Sequence, residues 1–217
     1  PAGLRSADQA TPKELKNPIH LKTRNLVFNK DSGNATTAER VELRTPQATG
    51  WAMGVNYAGK SNTLTLSSQI HVVVNGPYAA VVEADHGVIT NDPRQITLDH
   101  PRLRRHDGTV RADQAVFYLG PDNQVEKVLA TGNVTTEARI QERARSAGKR
   151  KSLVATAAEP SEMHSRADEV EFLLEGKQDL LRLVTMSGNV NMEQTGPQPM
   201  QGEAGRVIFE FAGQNQL

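Results

Sequence analysis

The residues RADQAVFYL, at positions 111–119, return as RADEVEFLL at positions 166–174. The tripeptide GNV follows each copy, at positions 132–134 and 188–190, and hydrophobic residues occupy matching places in between. Repeats of this size indicate one supersecondary unit that buries its apolar face against its neighbours. The turn signals inside each copy make that unit a β-hairpin, so we predict a row of stacked hairpins.

Apolar and polar residues alternate along most of the chain from Ile19 onward, as in Val170-x-Phe172-x-Leu174. Side chains two positions apart lie on one face of a strand. A degenerate repeat begins at Ala52, and a truncated one opens with EAGRVIF at 203–209. Many short strands separated by Gly, Asn, Asp and Pro turns are typical of sandwiches, rolls and barrels. We therefore predict an all-β fold, a β-jellyroll or folded-over antiparallel sheet, with almost no helix.

Two features of the repeat are expected to curve this sheet. Alanine at the start of each copy (Ala112, Ala167 and Ala204) is predicted to face inward, where its small size lets two layers approach. The Gly-Asn pairs permit a positive φ at a turn or a β-bulge, which bends a strand. A strongly curved sheet with an aliphatic interior would enclose an apolar slot.

Composition excludes several classes of function. The 217 residues contain 25 Lys and Arg against 25 Asp and Glu, so no overall charge attracts nucleic acid or a membrane surface. The absence of cysteine excludes disulfides, thiol catalysis and cysteine-ligated zinc. The longest apolar runs, at 78–82 and 115–119, are far shorter than the roughly 20 residues that cross a bilayer. Because the chain starts Pro-Ala-Gly, we expect a mature or trimmed product, with residues 1–17 as an extended polar leader.

One segment, residues 137–163, loses the alternation and is rich in arginine and lysine. We favour a solvated insertion between two strands, with a short helical turn near 140–147 as an option, because blocks of like charge usually lie in loops. The functional alternative is a basic arm for phosphate groups, with these candidate contacts: Arg139, Arg143, Arg145, Lys149, Arg150 and Lys151.

Motifs for enzymatic chemistry are weak. Residues 54–61 satisfy the G-x-x-x-x-G-K-S pattern of a phosphate-binding loop, but β-patterned residues follow where a helix is required. We therefore interpret Gly59–Asn62 as a hairpin turn. The six histidines form no metal-binding motif, and we interpret them as surface residues. No nucleophile elbow or local acid and base pair is present, which predicts a protein that is not an enzyme and needs no cofactor or metal.

The two repeat units resemble the OstA-like repeats of LptA and LptC, the bacterial lipopolysaccharide-transport proteins. The first third is similar to the LptC periplasmic domain, on the motifs LVFN (26–29), TAERVEL (37–43), GVNY (54–57) and NTLTL (62–66). The resemblance covers about residues 19–217. It divides one elongated jellyroll, residues 18–217, into an LptC-like part (18–83) and OstA-like repeats (84–217), interrupted by the basic insertion. An N-terminal membrane helix, usual in LptC, is not part of this sequence.

The resemblance implies a non-enzymatic carrier in the periplasm of the Gram-negative envelope. It would take lipopolysaccharide from the inner-membrane ABC exporter toward the outer membrane and shield its acyl chains in an apolar groove. Burying a chain of about twelve carbons contributes on the order of 9 kcal/mol. We place the lipid contacts, with core packing as the alternative for each, on the inward residues Val41, Leu43, Val55, Tyr57, Leu64, Leu66, Ile70, Val72, Phe117, Leu119, Val134, Val170, Phe172, Leu174, Val190, Met192, Phe209 and Phe211.

The expected partners are lipid A, other jellyroll transport components and the exporter. An open sheet leaves unpaired backbone groups at its edges, which we expect at 24–30 and 206–212 and which would allow edge-strand addition or a head-to-tail homo-oligomer. The sequence leaves open an LptC-like or an LptA-like role, and a tether to the inner membrane. The alternative function is a structural β-repeat scaffold of the envelope with a solid core and no lipid.

Overall fold

The computed structural model describes residues 20–76, 79–121, 123–140, 161–175, 180–197 and 199–211. These residues form one sheet of 15 strands, all paired antiparallel, and no helix occurs among them, which confirms the predicted all-β fold. The strands are β1 (His20–Lys22), β2 (Val27–Phe28), β3 (Ala35–Arg44), β4 (Ala48–Ala58), β5 (Thr63–Val74), β6 (Ala80–Ala84), β7 (His86–Asn91), β8 (Arg94–Asp99), β9 (Arg102–Arg104), β10 (Gly108–Arg111), β11 (Gln114–Leu119), β12 (Val125–Ile140), β13 (Ser161–Glu175), β14 (Leu180–Thr195) and β15 (Met200–Glu210).

The sheet is folded over because its long strands each take part in two layers. In β5, residues 64–66 pair with β7 and residues 70–74 pair with β6. In β12, residues 125–131 pair with β11 and residues 135–138 pair with β10. Layer one thus contains β7, β8 and β11, and layer two contains β6, β9 and β10. Together with β5 and β12, these strands close a ring in the order β5, β6, β9, β10, β12, β11, β8, β7.

The boundary between the layers, which we call the fold line, runs through the Gly-Asn pairs of the repeat. Gly132 and Gly188 have φ values of 74° and 73°, and the asparagines after them also have positive φ. Each pair stands at a register shift of its strand, so the prediction of positive φ at a β-bulge is confirmed. In β13 the register shifts at Ala167–Asp168. Because the bulges of β12, β13 and β14 are neighbours, the strands bend together.

Polar side chains bridge the strands along the fold line. The Asn133 amide nitrogen donates to Asp113 Oδ2 at 2.8 Å, and the Asn189 amide nitrogen donates to Asp168 Oδ2 at the same distance. Arg166 Nη2 adds a bond of 3.0 Å to Asn133 Oδ1. The equivalence of the two Asp-Asn bonds gives the Arg-Ala-Asp and Gly-Asn-Val motifs one structural role, which is to hold adjacent bends in register.

The core consists of two apolar clusters that both include residues from both layers. Val41, Val55 and Leu98 belong to the first cluster, and Val134 and Val170 belong to the second. Four of these five side chains are no more than 4% exposed, and Leu98 is 6% exposed. The two layers therefore pack face to face near the fold line.

Alanine at the repeat start faces inward in all three copies, as predicted. Ala112 and Ala167 are buried, whereas Ala204, directly opposite the buried Val190, is exposed. Ala204 lies in β15, which pairs only with β14, and the sheet has no later strand to cover it among the described residues. The turn predicted at 59–62 is confirmed: β4 ends at Ala58, β5 begins at Thr63, and Asn62 has a φ of 50°.

Two predicted boundaries, those of the 137–163 segment and the division at 83/84, do not coincide with strand ends. Strands β12 and β13 extend to Ile140 and from Ser161, so the described ends of the 137–163 segment are strand and not loop. The alternation of inward and outward side chains continues into these strand ends, where Ala138 and Met163 lie opposite each other and both face the interior. The division at 83/84 falls within β6, and the sheet continues across it. The leader, residues 1–17, lies outside the described residues, as do residues 141–160.

Candidate functional site

One continuous row of side chains crosses layer one. It contains one residue from each of eleven strands, each directly opposite the next in the strand register, and four of the five phenylalanines belong to it. We call it the first row: Phe28, Ala35, Tyr57, Leu64, Ile89, Ile96, Phe117, Val128, Phe172, Val184 and Phe209.

A matching row crosses layer two, and its residues are smaller. We call it the second row: Leu21, Leu43, Gly50, Val72, Val82, Leu103, Val110, Thr136, Ser165, Met192 and Gly202. Leu64 and Phe117 of the first row pack in the same cluster as Val72 and Leu103 of the second. The two rows therefore face each other across the interior.

The structure places the predicted lipid contacts on the inner face and separates them by depth. Next to the fold line, seven are at most 4% exposed: Val41, Val55, Leu66, Ile70, Val134, Val170 and Val190. Farther from it, eleven are half-buried: Leu43, Tyr57, Leu64, Val72, Phe117, Leu119, Phe172, Leu174, Met192, Phe209 and Phe211. The exposed fraction of these side chains thus rises with distance from the fold line, which indicates that the two layers lie farther apart there. The half-buried set is the one that can meet a ligand without unpacking the core.

The interior opens at the C-terminal edge. On β15 the inward positions Gly202 and Ala204 are exposed, and Val207 and Phe209 are only half-buried. A cleft of about 520 Å³ lies at this edge, lined by Asn189, Val190, Asn191, Glu203, Ala204 and Gly205. The sequence motifs gave no sign of this cleft, because it exists only where the stack of repeats stops.

Methionine is concentrated at the same end of the inner face. Met163, Met186, Met192 and Met200 share the inward side of β13, β14 and β15, and the chain has five methionines in all. Methionine side chains are flexible and polarisable and adapt to irregular apolar partners. A ligand at this end would contact side chains that can change conformation to fit it. The alternation of apolar and polar residues does not predict this feature, because methionine and valine fit that pattern equally well.

A second, charged cleft of about 220 Å³ lies at the far end of layer two, lined by Arg105, His106, Gly108, Thr109, Glu137, Ala138, Arg139, Glu162 and His164. Arg105 is held by two bonds to Asp107, of 3.0 and 3.1 Å. Arg139 Nε lies 3.7 Å from Glu162 Oε1, and both side chains are largely exposed. Of the six candidate phosphate contacts, Arg139 is placed at this cleft, and the other five lie outside the described residues.

Five histidines stand within 4.0 Å of a carboxylate, a feature that sequence inspection missed. The pairs are His71–Glu83, His86–Asp99, His100–Asp85, His106–Asp107 and His164–Glu162. The first two join neighbouring strands, and the third joins the residue before β7 to the residue after β8, so all three depend on strand register and not on sequence adjacency. Among the described residues no three His, Asp or Glu side chains converge into a group that could hold a metal ion.

No protein-family model matches this chain, and no curated protein matches it. In the part of the chain that the structure describes, there is no helix with the length and apolar character needed to cross a membrane.

Proposed function

We propose that this protein is a non-enzymatic lipopolysaccharide carrier or bridge of the periplasm, passing lipid from the inner-membrane exporter toward the outer membrane. The observation that carries the proposal is the pair of facing rows, each unbroken across eleven strands, whose larger side chains are half-buried apart from the exposed Leu21 and Phe28 at the N-terminal end of the sheet. A groove that runs across strands suits a ligand that must slide, because apolar side chains line most of its length. The family resemblance of the repeats supports the lipid class.

Apolar contact alone supplies enough energy for such a carrier. Each CH₂ removed from water contributes about 0.8 kcal/mol, so a chain of about twelve carbons gains on the order of 9 kcal/mol. Part of this gain offsets the opening of the two layers around the chain. The charged cleft that contains Arg139 lies on the edge of layer two, where a phosphorylated sugar would remain in water.

Site-specific photo-crosslinking tests the proposal. A photoreactive residue at Phe117 or Phe172, both half-buried in the first row, should crosslink to lipopolysaccharide in the periplasm. The matched controls are Tyr118 and Glu171, adjacent residues on the opposite face of the same strands, where Lys127 contacts both side chains. Crosslinks from the first row and none from the controls support the carrier.

The alternative is a structural scaffold with a solid core. It is favoured by the seven candidate residues packed near the fold line. An absence of crosslinks at every half-buried inward position, in cells that make lipopolysaccharide, would favour the scaffold over the carrier.

We also propose assembly through the sheet edges. The large hydrophobic residues that are exposed in the described chain all lie at the two ends of the sheet: Leu21, Leu26, Val27, Phe28, Met200 and Ile208. Among the described strands, β1 and β2 pair only with β3, and β15 pairs only with β14. Each end therefore combines free backbone groups with apolar side chains, the combination that favours addition of a strand from another jellyroll.

Proline at Ile208 tests the edge. The Phe211 amide nitrogen donates to Arg182 in β14, and alternation along an antiparallel ladder directs the Ile208 amide to the open side. Ile208→Pro should abolish concentration-dependent association in analytical ultracentrifugation with little loss of stability, whereas Ile208→Val should associate normally. Proline at Phe209, on the paired side, is expected to weaken the fold as well. Association that survives Ile208→Pro contradicts the edge model.

A further inference from the structure

The second row changes chemistry at β12 and β13. From β3 to β10 its members are Leu, Gly or Val, but in β12 and β13 they are Thr136 and Ser165. Ser161 lies on the same face of β13 as Ser165, four residues earlier. Three hydroxyl groups therefore stand on an inner face that is mainly apolar, where Gln194, opposite Met163, is a further uncharged polar side chain.

These hydroxyl groups have more donors than the described residues satisfy. Thr136 Oγ1 and Ser165 Oγ lie 2.5 Å apart, and this contact uses one of their two protons. Ser161 is 1% exposed, and its Oγ has no hydrogen-bond partner among the described residues. Burying an unpaired hydroxyl is unfavourable, and alanine would fill either serine position without that cost. The arrangement leaves two donors without an acceptor among the described residues, one at the Thr136–Ser165 pair and one at Ser161, about 13 Å apart along β13.

The chemistry of the acceptor follows from its surroundings. It must be uncharged, because the nearest inward neighbours, Ala138 and Met163, offer no counter-charge, and it must be attached to an apolar chain that can lie along the rows. The carbonyl oxygen of an acyl ester or amide meets both conditions. Ala138 also lines the charged cleft, so an attached polar group would lie close to water.

We propose that Thr136, Ser165 and Ser161 bind the acyl carbonyl groups of the ligand and fix the depth at which its chains enter the groove. The inference rests on the proposed carrier function and adds selectivity for acylated over plain alkyl amphiphiles. It places the polar end of the ligand at β12 and β13, so that the phenylalanines of the first row contact its acyl chains.

Two matched amphiphiles test the proposal: 6-O-dodecanoyl glucose, which has a carbonyl group, and 6-O-dodecyl glucose, which has none. Their binding is measured by competition with a fluorescent dodecyl probe, below the micelle concentration. One net hydrogen bond of about 0.5–1.5 kcal/mol corresponds to roughly two- to twelvefold tighter binding of the dodecanoyl compound to the wild-type protein.

The variant Thr136→Val/Ser165→Ala/Ser161→Ala should lower this ratio to about one and leave the dodecyl affinity unchanged. Thr135→Val removes a hydroxyl from the outer face of the same strand and should keep the ratio. If the triple variant does not fold, Thr136→Val/Ser165→Ala and Ser161→Ala are made separately, and at least one of them should reduce the preference.

The outcomes separate the two proposals. If neither amphiphile binds the wild-type protein, the carrier function itself fails. If both bind with equal affinity, or the triple variant keeps the wild-type ratio, the carrier stands and the carbonyl site is refuted.

Discussion

Substitution of Gly188 by alanine should be among the most damaging single methyl additions in this protein. The residue has a φ of 73°, a conformation that costs a non-glycine residue about 1–2 kcal/mol. A Cβ at this position would stand 2.5 Å from Asp168 Oδ2, 3.0 Å from its Cγ and 2.9 Å from its Cβ. Because the Cβ of Asp168 is fixed to the backbone, the carboxylate cannot avoid the clash by rotation alone.

The displaced carboxylate also loses its bond from the Asn189 amide, now 2.8 Å long. At this exposed position we assign that bond about 0.5–1 kcal/mol. The total loss for Gly188→Ala is then about 1.5–3 kcal/mol. For a chain of this length, each kcal/mol lowers Tm by about 2–4 °C, so the expected shift is roughly 3–12 °C. Urea and thermal unfolding measure the two quantities.

Gly205→Ala is the matched control. It belongs to the last, truncated repeat, no described atom lies within 4 Å of the point that a Cβ would occupy, and its φ is not positive. Its stability change should stay within about 0.5 kcal/mol. Asp168→Ala should relieve part of the Gly188→Ala defect, so that the double variant is about 1 kcal/mol more stable than additivity predicts. Equal stability of Gly188→Ala and Gly205→Ala would refute the conclusion that the positive φ of Gly188 and its close approach to Asp168 require glycine at the fold line.

Two further substitutions test contacts between strands. Asn133→Ala removes the bonds to Asp113 and Arg166 and places alanine at a φ of 46°, so urea unfolding should show a loss of about 1–2 kcal/mol, with Asn133→Gly less affected because it tolerates that φ. Arg40→Met removes a guanidinium 4.5 Å from the ring centroid of Trp51, the single tryptophan, and should cost about 0.5–1 kcal/mol and change its fluorescence emission; an unchanged spectrum and stability would contradict the cation–π contact.

Local chemistry explains which features of the fold could be predicted. The pairs Gly132-Asn133 and Gly188-Asn189 predict positive φ because few other residue pairs adopt it readily, and all four residues do. Alternation in β13 correctly puts Val170 on the buried face, where it is 0% exposed. These features depend on at most a few neighbouring residues, so a single sequence is enough to specify them.

Features that depend on the partner strand were missed. The pair His86–Asp99 forms between β7 and β8, and the pair His100–Asp85 forms just beyond the ends of these strands, so neither can be seen in the sequence. Ala167 and Ala204 both face inward, but Ala167 is buried and Ala204 is exposed because no described strand follows β15. Repetition in the sequence predicts equivalent local structure, but burial depends on what lies opposite each copy.

The amino-acid sequence is sufficient to make this protein a stack of β-hairpins with one apolar face and regularly spaced bends, because alternation and positive-φ pairs act within a strand. The distance between the two layers at each row is determined only in the tertiary structure, since it depends on the strand register and on the bend at each bulge. That separation divides the eighteen inward candidates into seven that are buried in the core and eleven that are half-buried farther from the fold line. The register likewise brings Thr136 opposite Ser165, a pair separated by 29 residues in the chain.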